Sequence, residues 1–228
     1  MAIKAVIFDL DGTLAEFNLD YKTARAEVKR SLVNRGFPAS VFSTNESIFE
    51  MLKKAKVYMR NNGRTEQDFL TLQNHVLSIA LKHELKAARE TSLLPGVLET
   101  LKALKRMDLR LAIFTINSKK STDLILDNFH LRQFFDAIIT REAVSKVKPD
   151  PLHLATALKE LDLNSGEVIV VGDSVVDMKS AKELKAVAVA MAPGDGLARK
   201  LNQAGAIHTI RSITELPNLV AKLSEEAS

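Results

Sequence analysis

Short apolar runs alternate with segments of helical periodicity over most of the chain. Helical spacing fills residues 97–107, and Asp150-Pro151 is typical of a helix start because a cap residue precedes a proline in the first turn. Strands that alternate with helices form βαβ units. The chain is therefore predicted to have an α/β core with a mostly parallel sheet. The apolar runs that predict its strands cover residues 5–8, 109–114, 137–140, 168–171, 187–190 and, at a sheet edge, 206–210.

A helical segment interrupts this alternation after the first strand. Apolar residues recur at helical spacing over 21–32, over 48–59 and again after Thr65. Asp20 is placed to cap the first of these helices, and Thr65 with Asp68 resembles a capping box at the start of the third. We therefore predict a doubly wound core made of residues 1–14 and 93–228, with a helical insert made of residues 15–92.

Composition excludes several classes of protein. The 228 residues contain no cysteine, which excludes a disulfide scaffold, a thiolate zinc site and a cysteine nucleophile. No apolar run approaches the ~20 residues that span a bilayer, and the first apolar run ends at a charge, unlike a signal peptide. The net charge is only +4, there is no tryptophan, and no basic run is interleaved with aromatics. We expect a cytoplasmic protein that binds neither membrane nor nucleic acid.

Two carboxylates follow the first predicted strand. Asp9 and Asp11 are separated by one residue and stand before Gly12, whose backbone permits the sharp turn that a strand exit needs. At the carboxyl end of a strand, these side chains would lie where open α/β sheets bind their ligands. An Asx-type turn that only ends the strand is the alternative interpretation, since Asp-Gly pairs are common in turns.

A second pair of carboxylates follows the strand predicted at 168–171. Asp173 stands next to Gly172, and Asp177 comes four residues later. If a helix starts near Ser174, both carboxylates can point to the same side. Oxygen ligands of this kind suit Mg²⁺ rather than zinc, so the sequence predicts a magnesium site here.

The strand predicted at 109–114 is followed by groups that suit a phosphate. Thr115, Asn117 and Ser118 supply two hydroxyls and an amide at a strand-to-helix turn. Such side chains, together with the backbone N–H groups of a helix start, can bind phosphate oxygens. The alternative is an N-cap at Asn117 or Ser118 without any ligand.

A lysine in a stiff loop completes the set of candidates. Lys148 precedes Pro149, and a residue before proline is held extended. The pattern predicts an ammonium group aimed at a phosphate and at several carboxylates. Lys146 could do similar work, but no proline follows it, so it is the weaker candidate.

The order of these features resembles the four motifs of the haloacid dehalogenase superfamily of hydrolases. The insert after the first motif is similar to the α-helical cap of the phosphoglycolate phosphatase and β-phosphoglucomutase branch. The resemblance spans the whole chain and implies a Rossmann-like parallel-sheet core with an inserted α-helical cap. The motifs are Asp9-x-Asp11-Gly12-Thr13, then Thr115, then Lys148-Pro149, then Gly172-Asp173 with Asp177.

The resemblance also implies roles for the motif residues. Asp9 would attack phosphorus and form an aspartyl-phosphate. Asp11 would protonate the leaving alcohol and then take a proton from the hydrolytic water. Lys148 would serve catalysis and, with Thr115 and Asn117, bind the phosphoryl oxygens of the substrate, a small phosphorylated metabolite such as phosphoglycolate or a sugar phosphate.

The implied cofactor is Mg²⁺. Its ligands would be Asp9, the backbone carbonyl of Asp11 and Asp173, with Asp177 as a further ligand or as a neighbour of the ligands. Four carboxylates in one site carry more negative charge than a single lysine can balance, so a divalent cation is expected to hold them together.

Other functions remain possible from the sequence alone. A haloacid dehalogenase has no need of a second acid two residues after its nucleophile, so Asp11 favours phosphoryl transfer. A β-phosphoglucomutase-like phosphomutase keeps both acids and stays open. A non-catalytic phosphate-binding regulator is less well supported, because Asp9, Asp11, Lys148 and Asp173 are all present. No Gly-x-Gly-x-x-Gly follows the first strand, which argues against a nicotinamide enzyme.

Overall fold

The structure is a computed structural model that describes residues 3–16 and 18–226. Its contacts divide the chain into two compact units. One unit holds the described residues before Asn18 together with those from Thr91 onward, and the other is Asn18–Glu90. These divisions lie within three residues of the predicted ones, after 14 and after 92. The function of the second unit as a cap stays a prediction.

The first unit is built on a six-stranded parallel sheet, which confirms the predicted α/β class. All six predicted strands are present, each within two residues of its predicted bounds. Numbered along the chain, the order in the sheet is β3-β2-β1-β4-β5-β6. The strands are β1 Ala5–Phe8, β2 Arg110–Phe114, β3 Ala137–Ile139, β4 Val168–Gly172, β5 Val187–Met191 and β6 His208–Ile210.

Nine helices are assigned in the described part of the chain. Three belong to the second unit and six surround the sheet of the first. No helix among the described residues is long and apolar enough to cross a membrane. The helices are α1 Tyr21–Asn34, α2 Ile48–Asn61, α3 Glu66–Glu90, α4 Val97–Arg106, α5 Lys119–Asn128, α6 Pro151–Glu160, α7 Val175–Glu183, α8 Asp195–Ala204 and α9 Leu216–Glu226.

The central strands are apolar along their whole length because helices cover both faces of the sheet. Every residue of β1 and of β4 is buried. Alternate residues point to opposite faces, and one face, which includes Ile7, Phe114 and Val170, packs against α6, α7 and α8. Each large aliphatic side chain buried in this way contributes about 1.5–3 kcal/mol relative to its exposed state.

The second unit is a small helical assembly with its own core. Side chains of all three helices meet in one cluster that includes Val28 of α1, Met51 of α2 and Leu72 of α3. The predicted caps are confirmed: Asp20 accepts a hydrogen bond of 3.0 Å from the Thr23 N–H. Thr65 and Asp68 exchange the two bonds of a capping box.

The strand order fixes where a ligand can bind to the first unit. The chain proceeds from β1 outward to β2 and β3, and then places β4, β5 and β6 on the other side of β1. This reversal of direction is the topological switch point of an open α/β sheet, and ligands bind outside the carboxyl ends of the strands there. The ends of β2, β1 and β4 are therefore the expected position of a site.

Candidate active site

Asp9 leaves the end of β1 with its backbone still tied to the sheet. Its N–H donates to the Val171 carbonyl oxygen at 2.9 Å, which extends the pairing of β1 and β4 by one residue. Gly12 then turns the chain with a φ of +74°. A Cβ at this position would collide with the Asp173 carboxylate. Glycine is needed at position 12 both for the backbone conformation and for the approach of Asp173.

The end of β4 delivers the second pair of carboxylates. Ser174 caps α7, and Asp177 returns to it as the other half of a capping box. One oxygen of Asp177, Oδ2, accepts hydrogen bonds from the Ser174 N–H at 3.1 Å and from the Ser174 hydroxyl. Asp177 is fully buried, and a Cβ at Gly172 would lie 2.5 Å from its side chain. The local sequence therefore holds Asp177 in one orientation.

Lys148 joins these two strand ends. Its ammonium Nζ lies 2.8 Å from Asp9 Oδ1 and 2.6 Å from Asp177 Oδ1, and only 1% of its side chain is exposed. The same Nζ sits 4.1 Å from the centre of the Phe114 ring, a cation–π contact. The Lys148–Pro149 peptide bond is cis. Lys146, the weaker candidate, is exposed and lies 3.4 Å from Asp150 instead.

His153 supports the backbone of Lys148, and sequence reasoning missed it. The Lys148 N–H donates to His153 Nδ1 at 3.3 Å, so Nδ1 must carry a lone pair, and the ring proton sits on Nε2. Nε2 lies 3.3 Å from the Ile139 carbonyl oxygen that accepts this proton. The imidazole is fully buried and makes a T-shaped contact with the Phe114 ring. Burial, reinforced by the charge of Lys148, lowers the pKa of His153 to about 4.

The loop after β2 adds a hydroxyl and an amide. The Thr115 N–H donates to the Ile139 carbonyl oxygen at 2.9 Å, and its Oγ1 accepts from the Asn117 N–H at 3.1 Å. The Asn117 side-chain amide, Nδ2, donates to Asp11 Oδ2 at 2.8 Å. Of the two predicted cap residues, Ser118 is the N-cap of α5. Asn117 does not cap the helix, and its side chain belongs to the candidate site.

The carboxylates disfavour one another's charge. Burial raises the pKa of Asp9 well above its usual range, and the charge of Asp177 adds to the rise while Lys148 opposes it. Burial, together with the charge of Asp177, also raises the pKa of Asp173 to about 7. Burial lowers the pKa of Lys148, but its bonds to Asp177 and Asp9 outweigh this, so the net shift is upward.

The donor set fits a divalent, oxygen-loving cation. Oxygens of Asp9, Asp173 and Asp177 all lie within 4.8 Å of one another. Three carboxylates are balanced by only one ammonium, so the group has a net charge of −2 when fully ionised. Carboxylate oxygens suit Mg²⁺. Because both oxygens of Asp177 already accept hydrogen bonds, Asp9 and Asp173 are better placed to bind the ion.

One known protein family matches most of the chain. The model of the haloacid dehalogenase-like hydrolases matches residues 6–191, which is most of the chain. The chain belongs to this family. The match confirms the resemblance that the four motifs carry.

Proteins similar to this hydrolase align with it over nearly its full length. It is 27% identical over 225 residues to a protein of Nitrosospira multiformis named phosphoglycolate phosphatase, and this covers 98% of each chain. A solved hydrolase from Pseudomonas syringae is 26% identical with a TM-score of 0.67, covering 96% of this chain and 99% of the other. CbbY from Rhodobacter sphaeroides, solved with phosphate, shares the fold at 24% identity and a TM-score of 0.66, covering 94% and 96%.

The structure thus brings most of the predicted residues together in this hydrolase. Asp9, Lys148 and Asp177 form one buried ion cluster, and Asp173 stands beside it. Asp11 joins through Asn117, which itself holds the Thr115 hydroxyl. Their catalytic and binding roles remain predictions.

The buried His153 gives a first prediction, on stability against pH. Its folded pKa of about 4 lies below the unfolded value of about 6.5. The unfolded chain therefore binds the proton first, so stability is full above pH 6.5 and falls as the pH drops toward 4. Between pH 7 and pH 4.5 this group alone should cost about 2.5 kcal/mol of unfolding free energy.

Urea unfolding of wild type and His153→Phe at both pH values isolates the contribution. We expect the stability difference between the two proteins to shrink by about 2.5 kcal/mol at pH 4.5, since phenylalanine does not titrate. His130→Asn, at an exposed position with a positive φ that asparagine tolerates, serves as the control. A difference that stays constant with pH would contradict a neutral His153 in the folded protein.

Proposed function

We propose that the protein is a Mg²⁺-dependent phosphatase that hydrolyses a small phosphomonoester through an aspartyl-phosphate on Asp9. Membership of the haloacid dehalogenase-like hydrolases, together with relatives named phosphoglycolate phosphatase, identifies it as a phosphoric monoester hydrolase. The metal, the covalent intermediate and the substrate are the parts that we add.

One observation carries the proposal. Asp9 lies at the switch point of the sheet with its Oδ1 held 2.8 Å from the buried ammonium of Lys148, and a second acid, Asp11, follows on the same turn. A carboxylate fixed beside a cation is suited to attack an anionic phosphorus, because the cation offsets the repulsion between the two anions. A second acid nearby is what departure of an alcohol requires.

The reaction would proceed in two displacements at phosphorus. In the first, an oxygen of Asp9 forms a bond to phosphorus as the bond to the alcohol oxygen breaks, and Asp11 gives that oxygen its proton. In the second, a water oxygen attacks phosphorus, the bond to Asp9 breaks, and Asp11 takes the proton from the water. Covalent catalysis of this kind divides one difficult step into two easier ones.

Thr115 and Lys148 would hold the oxygens of the transferring group. The Thr115 hydroxyl accepts a bond from the Asn117 N–H, so its own proton is left to donate to a phosphoryl oxygen. Two of the three N–H groups of Lys148 donate to Asp9 and Asp177. Its third N–H, and its charge, would stabilise the negative charge that spreads over the phosphoryl oxygens in the transition state.

Asp9, Asp173 and the backbone carbonyl of Asp11 would hold the Mg²⁺. The bound ion would supply the positive charge that the carboxylate cluster lacks. It would also offset the repulsion between the carboxylates and an incoming phosphate dianion. Asp177 would support the metal ligands without binding the ion itself, because its oxygens accept hydrogen bonds from Lys148 and Ser174. It would fix both Lys148 and the start of α7 next to Asp173.

The proposed substrates are small phosphorylated metabolites, phosphoglycolate and sugar phosphates first. The relatives named phosphoglycolate phosphatase support the former. The latter is suggested by CbbY of Rhodobacter sphaeroides, of which a mutant has been solved in complex with xylulose-1,5-bisphosphate.

The direct test is phosphate release from a panel of such compounds with Mg²⁺ present. We expect turnover by the wild type and none by Asp9→Asn, because the amide keeps the size of the side chain but is not a nucleophile. Asp11→Asn should be slower by roughly 10²–10⁴-fold, since it loses proton transfer only. Asp162→Asn, at an exposed position with a positive φ, is the control and should match the wild type.

Two results would count against the proposal. Phosphatase activity in purified Asp9→Asn protein would exclude the covalent route through this residue. Isomerisation of a sugar phosphate without release of phosphate would instead assign the protein to the phosphomutases.

The raised pKa of Asp173 gives a second prediction, on the metal. A carboxyl group with a folded pKa of about 7 supports stability at low pH, and this support is lost as the pH rises through 7. Mg²⁺ binds the ionised form, so its affinity should be about 30-fold weaker at pH 5.5 than at pH 8. Mg²⁺ should therefore raise the melting temperature more at pH 8 than at pH 5.5.

Thermal melts with Mg²⁺ and with chelator, at both pH values, make the measurement. The Asp173→Asn variant should show only a small Mg²⁺ effect at either pH, because it lacks the titrating ligand. Equal Mg²⁺ shifts at the two pH values in the wild type would argue that Asp173 does not bind the ion.

A further inference from the structure

We propose that Asn117 is a positioning residue that orients the carboxyl group of Asp11 for proton transfer, and that it does not bind the substrate directly. The inference rests on the proposed phosphatase function and concerns how its acid is aimed. Asn117 and Asp11 are 106 positions apart in the chain and meet only because β1 and β2 are neighbours in the sheet.

The contact between the two side chains is short and shielded. Asn117 Nδ2 lies 2.8 Å from Asp11 Oδ2, and Asn117 is only 6% exposed. When Asp11 is ionised this hydrogen bond is charge-assisted, and such bonds are roughly twice as strong as neutral ones. The amide of Asn117 is thus engaged by the acid before any substrate arrives.

The backbone of Asn117 is held on both sides, so its side chain has a fixed origin. Its N–H donates to Thr115 Oγ1 at 3.1 Å, and its carbonyl oxygen accepts from the Arg141 N–H at 3.3 Å. The next residue, Ser118, caps α5 by accepting from the Ser121 N–H at 3.2 Å. A catalytic group is most precisely aimed by a partner that is itself rigidly supported.

This bond selects the oxygen of Asp11 that handles the proton. An N–H donor pairs best with the unprotonated oxygen of a carboxyl group, so with Oδ2 bound to Asn117 the proton is carried on Oδ1. As the bond between phosphorus and the alcohol oxygen breaks, its electron pair stays on that oxygen, which takes the proton from Oδ1. Asp11 is left as a carboxylate, still bound to Asn117 through Oδ2, and is ready to accept a proton from water.

Two substrates with different leaving groups distinguish a role in proton transfer from a merely structural role, because only the first makes the loss of kcat/KM depend on the leaving group. A p-nitrophenolate departs without being protonated, whereas an alkoxide needs the proton of Asp11. With an alkyl phosphomonoester, Asn117→Ala should lower kcat/KM by roughly 10–10²-fold. With p-nitrophenyl phosphate the loss should stay under about 3-fold, because kcat/KM reports only the steps through departure of the leaving group.

A second variant and a matched control accompany the first. Asn117→Leu keeps the approximate size of the side chain but has no N–H donor, so its loss on the alkyl ester should be about as large as that of Asn117→Ala. Asn128→Ala, at the exposed end of α5, should leave both substrates unaffected. Thermal melts identify any variant that fails to fold, and the remaining variant then decides.

A double-mutant cycle completes the test. If Asn117 acts only through Asp11, then Asn117→Ala added to Asp11→Asn should change kcat/KM for the alkyl ester by less than about 2-fold. Equal losses on the two substrates, or losses that multiply in the double variant, would overturn the assignment and mark Asn117 as a substrate contact. These results presuppose an active wild type; an inactive wild type would overturn the proposed function and this inference together.

Discussion

The site depends on one buried ammonium group held between two carboxylates. Lys148 is 1% exposed at its side chain and lies within 2.8 Å of both Asp9 and Asp177. Removing one partner from such a cluster leaves an uncompensated buried charge, which typically costs about 3–5 kcal/mol. The end of β1, the loop before α6 and the first turn of α7 are thereby locked to one another. Each of the three proposed functions, attack, phosphoryl binding and metal binding, uses a group from this cluster.

The same cluster creates the demand for a cation. At an effective dielectric near 20, like charges about 4 Å apart repel by about 4 kcal/mol. Asp173 adds a carboxylate with an oxygen within 4.8 Å of oxygens of Asp9 and Asp177, and the one ammonium cannot balance it. Burial, together with this imbalance of charge, raises the pKa values of Asp9 and Asp173. A bound divalent ion would offset the negative charge of the carboxylates, which would otherwise repel a substrate dianion.

The sequence predicts the fold well because its signals are local. The strands are continuous apolar runs that parallel sheets require, and the caps at Asp20, Thr65 and Asp150 are decided within three or four residues. The carboxylates are found for a related reason, since each pair begins at the residue directly after a strand. Element ends are less well predicted: the spacing after Thr65 sets no end for the third helix, and α3 continues to Glu90, packed against α1 and α2.

What the sequence does not predict are the contacts between distant segments. The bond from Asn117 to Asp11 depends on the neighbouring positions of β1 and β2, and on the turn at Gly12. His153 looks like an ordinary polar residue on a helix until α6 is packed against β2 and β3, which buries it against Lys148 and Ile139. Which carboxylates bind the metal is equally non-local, because Ser174 and Lys148 together occupy both oxygens of Asp177.

The covalent intermediate is the most direct test of the account. Enzyme mixed with substrate and Mg²⁺, quenched in acid and reduced with borohydride, should yield homoserine at position 9, since borohydride reduces an aspartyl-phosphate but not a free carboxylate. Peptide mass spectrometry would read the modified position, with enzyme lacking substrate as the control. We predict modification at Asp9 alone. Modification at Asp11 or Asp173 instead, or none in an enzyme that is turning over, would contradict the account.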